Sequence, residues 1–278
     1  MEAPSRSNGS NTRPPLSVPP RGPGRSRVAG RVDRVLNTAL SGGGPAVLNV
    51  TVPEMLAEPE AVAWVIGSAL NRPGVGVMGH WTVHEVLRRS ALDGDLIDAL
   101  GSQNPVTRAA AARLCGAARL AGSVQWIGDL LGDSNPHVRD AAIRALSQMG
   151  GRRAVELMMA AAGSIPVYRL AIALSRAATD VDIEALMRQP ASEEAAVATV
   201  LACGLRRDVL RVSPLLGIAH DRRWPKKVRL AACKALATIA DRSAADGLHR
   251  VAMNDPDESV KRAADRAYRR LLKRAVAR

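Results

Sequence analysis

Two histidines one helical turn apart, in His80-Trp-Thr-Val-His84-Glu85, are the residues best spaced to hold a metal. Positions i and i+4 share a helix face, so two imidazoles there supply part of a zinc shell. A third ligand is not visible nearby, and Glu85 follows the second histidine instead of standing inside an H-E-x-x-H motif. His137, His220 and His249 are followed by Val, Asp and Arg. Surface or capping histidines are the simpler account, and no metal, cofactor or catalytic residue is expected. Cys115, Cys203 and Cys233 are far apart, without CxxC spacing, and each falls in an Ala/Leu-rich segment. Buried free thiols in a reducing compartment fit that pattern.

The sharpest basic cluster is Arg222, Arg223, Lys226, Lys227, Arg229 and Lys234, opposed locally by Asp221 alone, with Trp224 embedded in it. Cations around a ring could hold a phosphate and stack a base. The plainer account is a solvated loop with Trp224 packed on Pro225. The chain as a whole carries a net charge of +13, but its distribution weakens the nucleic-acid reading. Residues 1–34 have a net charge of +5, residues 261–278 of +7, and the body between them of only +1. The excess sits at the ends, so the surface as a whole is not built for a polyanion.

These residues must be positioned by helices. Apolar residues make up 47% of the chain, yet aromatics only 2%, and Phe is absent. A core filled by Ala, Leu, Val, Ile and Met suits closely approaching helices and argues against a sandwich or barrel of strands. Residues 1–27 are rich in Pro, Ser, Gly and Arg with almost nothing to bury, which predicts disorder. A weak helix is expected over Val32–Leu40, then a break at Ser41-Gly-Gly-Gly-Pro45. Val47–Val52 is a short extended piece unless Pro53 and Glu54 open a helix. Helical patterns run over Pro53–Leu70 and Trp81–Ser90, and Arg72–Gly79 between them reads as a loop.

From about Gly94 onward the chain repeats. Asn104-Pro-Val-Thr-Arg108 is matched by Asn135-Pro-His-Val-Arg139, and then by Pro166-Val-Tyr168-Arg169. Pro225-Lys-Lys-Val-Arg229 and Pro256-Asp-Glu-Ser-Val-Lys261 continue the series, with a degenerate copy at Ser192–Gly204. In each copy an apolar helix enters a polar turn, and Pro stands near the start of a second helix, where its missing N–H costs nothing. Val138, Ala142, Ala145 and Leu146 then form one stripe that a single helix pair cannot cover, so neighbouring pairs must stack.

Asp133-x-x-Pro136-x-Val138-Arg139-x-x-Ala142 resembles the HEAT repeat, especially the short form of phycobilisome lyases, and Asp255 with Val260-Lys261-x-x-Ala264 is a looser match. The resemblance covers residues 92–278 and extends, as a divergent pair, to 53–90. It implies an all-α, right-handed α-solenoid of about six helix pairs. The second helix of each pair would line the concave face, here 105–116, 136–149, 166–178, 192–204, 225–239 and 257–274. It also implies that the turn aspartate and the helix arginine six residues on, Asp133 and Arg139, bond to each other. Ser102 and Arg223 occupy the aspartate position for Arg108 and Arg229, which leaves those two arginines without that partner and free to bind. The single His84-Glu85 pair is similar to the iron-holding pairs of deoxyhypusine hydroxylases, which carry several.

The sequence therefore divides into a disordered Pro/Arg-rich tail (1–30), a divergent helical segment or capping repeat (31–90) and the repeat array (91–278). The expected function is a non-catalytic, cytoplasmic scaffold or adaptor that binds a protein partner on the concave face. Interaction candidates are Arg108, Tyr168, Arg169, Arg222, Arg223, Trp224, Lys226, Lys227 and Arg229. The competing reading is nucleic acid held by the basic ends and the 222–234 cluster. A lyase-like or metal-dependent HEAT-repeat enzyme is the remote third. No run of 18 apolar residues is present, so no membrane span is expected. The first residues lack the apolar stretch of a secretory signal.

Overall fold

The structure, a computed structural model, describes residues 26–43, 46–178, 181 and 183–276. The bulk of the Pro/Arg-rich tail, to residue 25, lies outside the described residues. The described residues form sixteen α-helices and no strand. The first four are α1 (Arg27–Leu40), α2 (Val52–Ala57), α3 (Pro59–Leu70) and α4 (Gly76–Arg89). Six pairs follow. They are α5 (Leu92–Asp98) with α6 (Pro105–Ala118), α7 (Val124–Asp129) with α8 (Pro136–Met149), and α9 (Gly151–Ala160) with α10 (Val167–Ala177). The last three are α11 (Ile183–Arg188) with α12 (Glu193–Arg206), α13 (Val212–His220) with α14 (Lys226–Ile239), and α15 (Ala245–Asn254) with α16 (Glu258–Val276). The second helices stack consecutively, α6 on α8 and so on to α16, and α3 packs on α6 at the near end. The chain is an α-solenoid with the six helix pairs the repeat pattern implies.

The local chemistry of each pair explains its regularity. The Asn104 side chain accepts from the Val106 N–H and the Asn135 side chain from the His137 N–H, both at 2.9 Å, capping α6 and α8 just ahead of their prolines. The second helices then bury an Ala/Leu stripe, and none of the buried side chains among the described residues is aromatic. Small residues let these helices come close. A Cβ on Gly116 would lie 2.5 Å from Ala145 Cα, and one on Gly204 would lie 2.7 Å from Ala235 Cα. Three of the second helices end in the left-handed region at a non-glycine residue, at Arg119, Arg207 and Ala240, and Gly150 holds the corresponding place after α8.

Several expectations for the first 90 residues need correction. Helix α1 begins at Arg27, with Ser26 accepting from the Ala29 N–H, and so takes in Arg27–Gly30 from the expected tail. Residues 46–51 are neither helix nor strand. Thr51 and Glu54 form a reciprocal capping box that starts α2 at Val52, and the chain turns at Glu58 before α3. Helix α4 starts at Gly76, inside the stretch expected to be loop.

Candidate functional site

The repeat arginines are engaged across the repeat boundary. Arg108 on α6 donates from Nε and Nη2 to the two carboxylate oxygens of Asp133, at 2.8 and 3.0 Å, in the turn that opens α8. Its Nη1 donates to the Ser102 carbonyl at 2.8 Å. The Asp133 side chain is only 7% exposed and also accepts from the Asn135 N–H. The Arg108 guanidinium, with help from that N–H, holds the Asp133 carboxyl below the usual range. Arg139, the expected partner six residues on, instead donates to the Asp133 and Ser134 carbonyls at 2.7 and 3.0 Å. The same link recurs between Arg229 on α14 and Asp255 ahead of α16, both buried. Arg229 and Arg108 are therefore structural fasteners, not free ligand-binding groups. The reason is geometric, since stacking brings each second helix against the following turn.

Most of the 222–234 cluster is paired within the chain, although Arg223 and Lys227 stay largely exposed. Arg223 bonds Asp221 at 2.8 Å, Lys226 bonds Asp257 at 2.9 Å, and Lys227 reaches Glu193 at 3.2 Å. Arg222 donates to the Asn254 carbonyl at 3.2 Å. Trp224 packs partly buried against the core. Lys226 holds the Asp257 carboxyl at about 2. Arg169 is bonded to Asp140 on the preceding repeat. Burial also corrects its register. Leu170, Ala173, Leu174 and Ala177 of α10 are buried as Val138, Ala141, Ala142 and Ala145 are on α8. Arg169 thus stands where α8 has His137, and Ala171 takes the place of Arg139.

With that register, one position recurs along the stack of second helices. It is Arg113 on α6, Arg144 on α8, Arg176 on α10, Leu201 on α12, Lys234 on α14 and Arg266 on α16, all at least partly exposed. Trp64 on α3, 49% exposed, continues the row. Glu60, one turn before Trp64, bonds Arg113 at 3.3 Å, which shows that the two helices present these residues on one face. The Lys234 ammonium lies 5.4 Å from the centre of the Tyr168 ring, reaching over α12 from α14 to α10. Such a reach places Lys234 and Tyr168 on one face of the stacked second helices.

The histidines do not form a metal shell. His84 Nε2 is 2.8 Å from the Ala118 carbonyl, and His80 Nε2 faces Arg119 Nη1 at 3.3 Å. Burial first, then the Arg119 charge, lowers the His80 pKa. Glu85 is bonded to Arg88 and Arg89, whose hydrogen bonds take its carboxyl down to about 2. No group of three or more His, Cys, Asp or Glu suited to a metal occurs among the described residues. The three cysteines are free and buried, with burial pushing the Cys115 and Cys233 thiols to about 12 and that of Cys203 to about 11. No described helix is long and apolar enough to cross a membrane.

A family model described as HEAT repeats matches residues 94–178, from α5 through α10. Residues 94–178 are therefore HEAT repeats. No curated protein matches it. Among solved structures, this chain is similar to human deoxyhypusine hydroxylase in complex with glycerol. The identity is 16% over 88% of this chain and 97% of that one, with a TM-score of 0.34. A computationally designed armadillo repeat protein for modular peptide recognition is 15% identical over 86% and 99% of the two chains, with a TM-score of 0.32. Another designed armadillo repeat protein, in complex with the peptide (KR)4, is 16% identical over 80% and 100%, with a TM-score of 0.30.

Proposed function

We propose that this HEAT-repeat protein is a non-catalytic scaffold that binds a protein partner along the concave face of its second helices. The observation that carries this reading is the mixed character of that face. Trp64, Tyr168 and Leu205 expose large apolar surface among charged side chains. Exposed aromatics within a polar rim are the anatomy of protein interfaces, where a few rings supply most of the affinity. The nucleic-acid alternative loses its sharpest support because Arg223, Lys226, Lys227 and Arg229 already neutralise acids of the same chain.

The test is site-specific photo-crosslinking in cells. A benzoylphenylalanine replacing Tyr168 on the concave face is expected to give discrete protein adducts. The same group replacing Trp126, exposed on the outer helix α7, is expected to give none of them. Adducts from Trp126 alone, or none from either position, would overturn the proposal.

A further inference from the structure

The concave row carries five cations, only some of which the chain itself engages. Arg113 is bonded to Glu60, and Lys234 leans on Tyr168. Arg144, Arg176 and Arg266 have no side-chain partner among the described residues. Acids on α8, α12 and α16 are bonded to other cations. Asp140 is taken by Arg169, Glu193 by Lys227, and Asp265 by Arg269. Five basic residues thus occupy one repeated position on six successive helices, and the sixth position, on α12, is Leu201. Val197, Leu201 and Leu230, each partly buried against the core, make that step apolar.

Building on the proposed protein-binding role, we infer that the row formed by Arg113, Arg144, Arg176, Lys234 and Arg266 takes an extended acidic segment of the partner, with an apolar residue seated over α12. Spacing supplies the argument. Packed helices lie about 8–10 Å apart. An extended chain advances about 3.3 Å per residue, so every third residue meets the next helix. The matching segment has an acid at each third position, broken by one apolar residue at the fourth step. Each carboxylate would meet a guanidinium or ammonium with no ion pair to break or, at Arg113, one partly exposed pair to exchange. Charge also excludes the chain's own N-terminal stretch as occupant, because residues 1–25 hold Arg6, Arg13, Arg21 and Arg25 against Glu2 alone. A nucleic-acid strand is the weaker fit. Its bases need rings at successive steps to stack upon, and this face offers two well-separated rings, Trp64 at one end and Tyr168 beside Lys234.

The experiment is fluorescence anisotropy with the full chain and a labelled peptide of about 16 residues, long enough to span the row. Asp stands at every third position, Leu at the fourth of these, and Ser or Gly elsewhere. The controls are a peptide of the same composition with its acids clustered, and oligo-dT of similar length. The spaced peptide is expected to bind, and to weaken as salt rises from about 50 to about 300 mM. The double variant Arg144→Glu/Arg176→Glu should weaken it by about tenfold or more, while Arg152→Glu/Arg153→Glu on the outer helix α9 changes it less than about twofold. Both pairs are on the surface, and thermal melts of the two variants confirm folding. Equal binding of the clustered peptide, equal loss in the outer variant, tighter binding of oligo-dT, or no peptide binding would each overturn the inference. If the crosslinks from position 168 persist in any of those cases, the binding face stands and only its acidic ligand falls. If the crosslinks vanish too, both fall.

Discussion

The α6–α8 and α14–α16 junctions are each closed by an arginine on one second helix and an aspartate in the next turn, whereas the junctions through α10 and α12 have no such link among the described residues. At the closed junctions Arg108 and Arg229 reach Asp133 and Asp255. In the middle Ala171 and Ala196 stand at the arginine position, and the ion pairs that do occur, Arg169 with Asp140 and Lys227 with Glu193, are well exposed. Both kinds of junction bury the same Ala/Leu stripe. The difference teaches that apolar stacking suffices to propagate the array, and that the polar link fixes how one repeat sits on the next. In a solenoid, where each repeat contacts only its neighbours, local weakness stays local.

The sharpest test of this comparison is Arg229→Ala. It leaves the Asp255 carboxylate buried without its cation, and a loss of about 3–5 kcal/mol is expected in urea unfolding. Replacing both partners by apolar residues of similar size should cost much less, and equal costs would mean that packing, not charge, is what the position supplies. Arg108→Ala removes a link with a more exposed arginine, 16% against 7%, and should cost about 1.5–3 kcal/mol. A cost at Arg108 equal to that at Arg229 would erase the ranking by burial.

Acid titration sharpens the same link. Arg108 depresses the folded-state pKa of Asp133, so its stabilising contribution is fully present above the ordinary carboxylate pKa of about 3.9 and is lost as pH falls through the lowered folded value. The stability gap between the wild type and Asp133→Asn should therefore narrow as pH drops from about 5 toward about 2. A gap constant over that range would show that the carboxylate charge contributes nothing. The smallest effect concerns the backbone. Ala240 holds φ of 60° at the end of α14, a conformation that costs an L-residue about 1 kcal/mol or more. Ala240→Gly should raise the melting temperature by a few degrees, whereas no change would place the junction's limit elsewhere.

Much of the fold was legible because its signals are local. Asn104-Pro105 and Asn135-Pro136 mark helix starts, and the Val-Arg-x-x-Ala spacing marks the buried stripe. The Thr51-x-x-Glu54 capping box is an equally local signal and starts α2 one residue ahead of Pro53. The partners of Arg108 and Arg229 were not legible, since they lie 25 and 26 residues away and depend on how repeats stack. The row of cations was hidden for two reasons. Summing charge over the body masks a one-sided arrangement. The Pro166-Val-Tyr-Arg motif also sets α10 two residues out of register, so that Arg176 matches nothing in the sequence. Burial of Leu170 and Leu174 restores it.

The three buried thiols give the array its own stopwatches. Cys115 and Cys233 stand on α6 and α14, beside the fastened junctions, and Cys203 stands on α12 between them. A thiol sealed in apolar surroundings and kept protonated reacts with an alkylating reagent only when its repeat swings open. Timing the modification of each by mass spectrometry in the unaltered protein would clock the opening of three repeats at once. Cys203 is expected to be labelled first.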